Sequence, residues 1–298
     1  MNSRRYATPD AFKQALETRL RSIATQRGIT MNRLRQRLIF ERFLVRVFAV
    51  LGESALLKGG VVLELRLARA RATQDVDLRC MGSPNAILEQ LRMAARRDAE
   101  DHLSFEVNLA PDGDTIQGEG IIYEGRRFRV EARLAGRPYG DPFGVDAAFG
   151  DLLTGEVEHL EESDLLSFTG IPRSRLRVYP RETHVAEKLH AYTLPRQHEN
   201  SRVKDLPDIA LLAQTGTFSR GLLRAALEKT FAFRGTHPLP GSLPPPPTFW
   251  TDQYARMARA HRLPWPTLAD VHHAASAFLD PVLGRGGGTW SPDRWTWE

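Results

Sequence analysis

The residues in this chain whose types and spacing could do chemistry lie in the stretch "LKGGVVLELRLARARATQDVDLRC", residues 57–80. Gly59 and Gly60 form one pair, and Asp75 and Asp77 form another. Side chains two apart on a strand point to the same face, so Asp75 and Asp77 aim two carboxylates at one spot. Two such anions repel unless a cation lies between them, and hard oxygen ligands of this kind suit Mg²⁺ holding a nucleotide's phosphates. A glycine turn that opens a helix exposes backbone N–H groups at the positive end of the helix dipole, which attracts phosphate. Asp112 and Asp114 repeat the Asp-x-Asp spacing, but inside "PDGD", where proline and glycine announce a turn. Asp146, in the apolar setting of "PFGVDAAFGD", is the candidate third carboxylate of a two-ion site, where one ion activates an attacking oxygen and the other stabilises a leaving pyrophosphate.

The elements that must position these groups follow from periodicity. A helix is expected over 8–27. A stronger one spans 30–51, where Leu34, Leu38, Ile39, Phe43, Leu44, Val47, Phe48 and Leu51 recur at three and four and Gly52 ends the run. A short strand at 55–58 leads into the glycines and a helix over 61–68, and 75–80 is a strand. The spacing predicts a helix over 84–100 and alternating strands over 104–134 and 142–151. Helices are expected at 182–194, 204–214 and 220–231, then a stiff extended proline-rich segment at 237–250, and a last helical part at 251–283. The tail "GRGGGTWSPDRWTWE" reads as a loose end or a strap anchored by its tryptophans. The expected class is α+β, with a mixed sheet flanked by helices in a lobe at 1–180 and a mainly helical lobe at 181–298 that completes the cleft.

Bulk properties narrow the setting. Of the 298 residues 42% are hydrophobic and 26% charged, and no apolar run reaches the roughly 18 residues of a membrane span. The first residues carry no apolar segment after their arginines, so no secretory signal is expected and the cytoplasm is the expected compartment. A single cysteine, Cys80, excludes an internal disulfide and a multi-thiolate metal site, and reads as a small strand residue. The net charge of +5 favours a polyanionic partner, although heavy arginine use is explained equally well by a GC-rich genome.

Strand, glycine pair, helix, Asp-x-Asp strand and a later aspartate together resemble the nucleotidyltransferase superfamily typified by DNA polymerase β. The spacer from Val61 to Gln74, fourteen residues, is longer than that motif's usual one. The blocks "LLKGGVVLELRL…RATQDVDL", "PFGVDAAFGD", "RVYPRETHVAEKLHAY" and "NSRVKDLPDIALLA", in this order over 56–213, resemble the AbiEii/AbiGii toxin family of nucleotidyltransferases, which includes the MenT toxins. The resemblance implies the toxin of a type IV-like toxin–antitoxin or phage-defence pair, with a separate antitoxin. It further implies transfer of a nucleoside monophosphate from an NTP with Mg²⁺, in some members onto the 3′ end of tRNA. Asp75 and Asp77 then match the metal pair and Gly59 and Gly60 the phosphate turn. Lys188 matches the lysine that holds NTP phosphates, and Asp208 a downstream acidic position, with Lys204 and Asp205 beside it.

Other residues carry two readings each. Lys58 could meet phosphate or pair with an aspartate across the strands, and Arg71 and Thr73 could orient the metal pair or touch triphosphate. Asp205 is read as a helix N-cap, Glu187 as a flanking structural residue, and His190 as structural or base-contacting. Tyr192, Trp250 and Trp265 are candidate base-stacking residues with core packing as the commoner role, and His272–His273 lack ligand spacing. Two rival functions remain open: nucleotidylation of a protein or phosphate transfer by the same site, and a non-catalytic module that only holds a partner.

Overall fold

The computed structural model describes residues 6–67, 73–111, 124–196, 202–284 and 287–298. Helices α1 (Pro9–Arg27) and α2 (Met31–Leu51) come first. Thr8 and Thr30 cap them, each hydroxyl accepting from a backbone N–H three residues on, and Gly28 ends α1 in the left-handed conformation that glycine adopts without steric cost. Strand β1 (Ala55–Lys58) runs directly into α3 (Gly59–Arg66), and β2 (Asp75–Cys80) returns antiparallel to β1. There follow α4 (Ile87–Ala95), β3 (Leu103–Leu109), β4 (Gly125–Leu134), β5 (Arg137–Pro138), β6 (Phe143–Phe149), β7 (Glu158–Glu161) and β8 (Arg175–Val178). Among the described residues these strands form one mixed sheet in the order β3-β4-β6-β2-β1-β8-β7, with β5 on β4. The pairs β2–β6 and β1–β8 are parallel and the rest antiparallel.

The remaining chain is α5 (Arg181–Thr193), α6 (Asp205–Ala213), α7 (Arg220–Arg234), α8 (Thr251–His261), α9 (Leu268–Leu283) and a small hairpin, β9 (Trp290–Ser291) with β10 (Thr296–Trp297). Among the described residues two apolar clusters result. The first joins α1 and α2 to one face of the sheet and draws on residues from Phe12 to Val178. The second is built from Val185 to Trp290 and takes in Leu63 of α3. The tail is a strap. Trp290, Trp295 and Trp297 each donate an indole N–H to a carbonyl of the helical region, at Ala213, Ala274 and Phe278.

Several expected boundaries move. The helix read over 84–100 shortens to Ile87–Ala95, because a turn precedes it and the Asp98 carboxylate accepts from the Glu100 N–H (2.9 Å), a local bond that competes with the helix. The single helical part at 251–283 is two helices: Arg262 ends α8 in the left-handed conformation, and Pro264 and Pro266 follow. Strands β7 and β8 escaped the periodicity reading because each is only four residues long. Ile121, Tyr123, Asp112 and Asp114 lie outside the described residues. No described helix is long and apolar enough to cross a membrane.

Candidate active site

Strand alternation sorts β2 and β6 into two faces. Val76, Leu78 and Cys80, and likewise Phe143, Val145 and Ala147, enter the first apolar cluster. That leaves Asp75, Asp77, Gly144 and Asp146 on the opposite face. Register then aligns four charged side chains across four strands. Lys58 on β1 is opposite Asp77 on β2, Asp77 is beside Asp146 on β6, and Asp146 is opposite Arg127 on β4. One row along the strands, Asp75 is beside Gly144 and Gly144 opposite Arg129.

Both carboxylates of the Asp-x-Asp pair rest against glycine. Gly59 has φ +70°, and a Cβ there would overlap the Asp77 carboxylate. A Cβ on Gly144 would come within 2.6 Å of Asp75 Oδ1. Only glycine lets the turn and the strand approach the acids this closely. Thr73 fixes the approach to the pair: its N–H donates to Glu64 Oε1 of α3 (2.6 Å) and its hydroxyl to the Asp75 carbonyl (3.4 Å). Arg71 lies outside the described residues.

The electrostatics of the row are lopsided. Burial first, and then the neighbouring Asp146 carboxylate, pushes Asp77 up to about 6; Lys58 and Lys188 pull the other way, and Asp75 adds to the rise. Asp146 receives a two-pronged pair from Arg127, at 2.7 Å from Nε and 2.6 Å from Nη2. This pair, strengthened by the charges of Asp75 and Asp77, holds the guanidinium protonated beyond its usual range. Among the described residues no three acidic, histidine or cysteine side chains form a ready-made metal cage. The three aspartates are nonetheless hard oxygen donors on one face, carrying negative charge that Asp77 bears at a cost, and a divalent cation fits that donor set.

A second wall comes from α5 and α6. Lys188 Nζ donates to Asp208 Oδ2 (2.7 Å) and Asp205 Oδ1 (3.1 Å), and its charge reaches Asp77. Asp205 is therefore not the N-cap expected for it. Lys204 takes that position with a helical backbone (φ −70°), and Asp205, one residue inside the helix, turns its side chain to Lys188. Lys204 is exposed. Pro207 stands in the first turn of α6, where its missing N–H costs no helix bond.

Lys58 joins the two walls. Its ammonium pairs with Asp151 and, at 3.4 Å, with Glu187, and lies 5.5 Å from the centre of the Tyr179 ring. Arg234 of α7 donates to Asp151 Oδ1 (2.8 Å). Lys58 thus pairs with an acid beyond β6, while its charge also acts on Asp77, its register partner on β2. Glu187 belongs to this ion cluster, and burial pushes its pKa up against the pull of Lys58.

Arg127, Asp151, Arg234 and His184 were not singled out from sequence. Arg127 carried a weak signal, the alternation of Arg127 and Arg129 with Phe128 and Val130, but its opposite number could not be read from one strand. His184, one turn before Lys188, is 2% exposed, neither ring nitrogen hydrogen-bonds among the described residues, and burial depresses its pKa well below the usual histidine value. His190 bonds to Thr236 (2.8 Å) and packs on His237, and burial lowers its pKa to about 4. Tyr192 donates to the Pro244 carbonyl (2.8 Å), Trp250 is fully buried, and Trp265 packs on Trp295. These aromatic side chains belong to the second core.

A mixed sheet flanked by helices, with a glycine turn against paired aspartates and a lysine–aspartate wall facing them, is the arrangement of a nucleotidyltransferase. The model of the family described as nucleotidyl transferase AbiEii toxin, type IV toxin–antitoxin system, matches residues 42–276, and the chain belongs to that family of nucleotidyltransferase toxins. Among solved structures it is similar to MenT4, a nucleotidyltransferase toxin from Mycobacterium tuberculosis H37Rv, at 17% identity and TM-score 0.52, over 74% of this chain and 75% of that one, a likeness of fold. It is also similar to JHP933 from Helicobacter pylori at 16% identity and TM-score 0.46, over 85% of this chain and 91% of that one. No curated protein sequence matches the chain.

Proposed function

We propose that the chain transfers a nucleoside monophosphate from an NTP to a hydroxyl of RNA, the 3′ end of tRNA being the acceptor favoured, and releases pyrophosphate. In this reaction the hydroxyl oxygen forms a bond to the α-phosphorus, and the bond from that phosphorus to the β-phosphate oxygen breaks. The electron pair leaves with pyrophosphate, and the hydroxyl proton passes to Asp146 or to water. Asp75, Asp77 and Asp146 are the residues that would hold Mg²⁺, which when bound supplies charge neutralisation for the triphosphate and the leaving group. Gly59 and Gly60 present the N-terminus of α3 to phosphate. Lys188, set by Asp205 and Asp208, supplies positive charge from the opposite wall, and Lys58, Arg71, Thr73 and Lys204 are secondary phosphate-binding candidates. The lobe at 1–180 carries the acids and the lobe at 181–298 the lysine wall, so that alignment and charge neutralisation do most of the catalysis.

The observation that carries this reading is the register that sets Asp77 beside Asp146 while Gly59 lies against the Asp77 carboxylate. Type IV toxin–antitoxin membership implies a cognate antitoxin, and we place the pair in the cytoplasm, with phage defence as a role it can serve. The test is incubation with each labelled NTP, Mg²⁺ and total RNA. Label in RNA that is lost in Asp77→Ala supports the reading. Label in protein alone moves the acceptor to a protein side chain, and no label with any NTP leaves a partner-binding module.

A further inference from the structure

Two groups of carboxylates compete for the charge of Lys58. Register sets Lys58 opposite Asp77 across β1 and β2, and directly opposed side chains of an antiparallel pair have Cβ atoms about 4.5–5.5 Å apart, within reach of an ion pair. Its ammonium bonds to Asp151 and, at 3.4 Å, to Glu187, and acts on Asp77 through its charge. The rival position at Asp151 is built into the fold. Gly150, with φ +84°, turns the chain back after β6, and Arg79 Nε of β2 donates to the Asp151 carbonyl at 2.9 Å, which pins that residue to the strand carrying Asp77. The Asp151 carboxylate is fully buried, its Oδ2 accepting from Lys58 and its Oδ1 from Arg234 of α7 at 2.8 Å. Arg234 also lies 3.7 Å from Glu187. A buried carboxylate is costly unless cations answer it, so Asp151 holds both of its cations firmly.

We propose that Asp151 is a positioning residue that draws the Lys58 ammonium toward α5 and α7 and so keeps Asp77 open to a divalent cation. This rests on the reading of Asp75, Asp77 and Asp146 as metal-holding residues given above. A lysine that closed on Asp77 would occupy the oxygens that ligate the ion, and its charge would repel that ion from a few ångströms away. With Asp151 ionised, the cluster outside the acidic row retains Lys58. Without that charge, Arg234 keeps Glu187, and Lys58 turns to the carboxylate that register places opposite it. Asp151 therefore acts on the acidic row through Lys58.

The two cations on Asp151 also compete with one another. Loss of Arg234 leaves Lys58 to answer both Asp151 and Glu187 and binds it more firmly, whereas loss of the acid releases it. Opposite effects from two lesions of one cluster separate positioning from simple support of the fold.

The test uses Mn²⁺ as probe, its binding to the full chain followed by electron paramagnetic resonance without nucleotide, with a urea-unfolding midpoint for each variant. Asp151→Asn is expected to bind Mn²⁺ about tenfold more weakly than the natural chain, the effect of moving one unit charge a few ångströms toward the ion in a half-buried site. Removing the lysine as well should undo the loss: Asp151→Asn combined with Lys58→Gln should bind within about threefold of the natural chain. Glu187→Gln removes the longer bond and should weaken binding less than Asp151→Asn does. Arg234→Gln should bind as tightly as the natural chain or more tightly. If Asp151→Asn does not fold, Glu187→Gln and Arg234→Gln carry the test by their two directions, and movement of both the same way overturns the proposal. Unchanged Mn²⁺ binding by folded Asp151→Asn, a loss that persists after Lys58→Gln, or equal weakening by Arg234→Gln overturns it too.

The metal reading fails separately. Mn²⁺ binding that is absent from the natural chain, or that survives Asp77→Asn, overturns the assignment of the metal-holding residues and this proposal with it. Binding that requires Asp77 yet ignores Asp151 removes the proposal alone. Neither result depends on turnover, so failure of the transfer assay is distinguishable from both.

Discussion

Asp77 and Asp101 are the same side chain serving the same sheet, and their surroundings treat them oppositely. Asp101, fully buried just before β3, accepts from Arg42 Nε (2.6 Å), from Arg46 Nη1 (2.8 Å) and Nη2 (2.6 Å), and from the Leu103 N–H (3.0 Å). Burial opposes its charge, yet the bonds and charges of Arg46 and Arg42 outweigh burial and hold Asp101 below the usual carboxylate range. Arg42 also binds Glu162 (2.8 Å), so the network closes on itself. Asp77 has burial and a neighbouring carboxylate acting together, and its pKa rises to about 6. The network around α2 is neutralised from within the protein and serves the fold. The row on the other face leaves Asp77 less fully answered by positive charge, a cost that the cation proposed for it would offset.

The largest effect that could break this contrast is on activity. Asp77→Ala should lower nucleotidyl transfer by about a thousandfold, a loss of the size associated with removing a charge-stabilising group at a reacting centre. Its urea-unfolding midpoint should not fall. Next, Asp101→Ala should destabilise the protein by about 3–5 kcal/mol, because two buried guanidinium groups lose their shared partner. Equilibrium unfolding in urea measures this. Unchanged stability in Asp101→Ala, or loss of stability in Asp77→Ala, would erase the distinction between the two regions.

Smaller effects sharpen it. Gly59→Ala should cost about 1–3 kcal/mol, since its φ of +70° disfavours a side chain and the added methyl meets the Asp77 carboxylate. In an Asp77→Gly background part of that cost should vanish, a non-additivity that measures the contact between turn and acid. The smallest effect depends on pH. The folded pKa of Asp77, about 6, exceeds the ordinary 3.8, so its ionised form penalises the folded state. The penalty is absent below about pH 4, grows between 4 and 6, and is full above 6. Asp77→Asn should therefore raise stability by about 1–2 kcal/mol at pH 7–8, with allowance for partial exposure, and by nothing at pH 4. Thermal melts at the two pH values, without divalent metal, check it; a gain that does not vary with pH would remove the electrostatic account.

Much of the fold was legible. The long apolar stripe of α2 and the helices at 182–194, 204–214 and 220–231 were within a few residues of their observed bounds, because helical periodicity is a local property. Strands β7 and β8 were not legible, being too short to show alternation. Asp205 was misplaced at a cap because the acid that opens a helix in sequence and the acid that faces Lys188 across two helices look alike until α5 and α6 pack. Arg127 was overlooked for a similar reason: its partner Asp146 sits nineteen positions away on another strand.

By itself the chain of amino acids determined that Asp75 and Asp77 share a face, that a glycine turn precedes them, and that the family is that of the nucleotidyltransferase toxins. Within-strand alternation and turn chemistry are set by neighbouring residues, so one sequence suffices to read them. Only the tertiary structure decided that Asp77 stands beside Asp146, that Arg127 answers Asp146, and that Lys58 turns to Asp151. Those pairings depend on the register between strands distant in sequence. That register is set by which faces bury their apolar side chains together, a property of the packed whole.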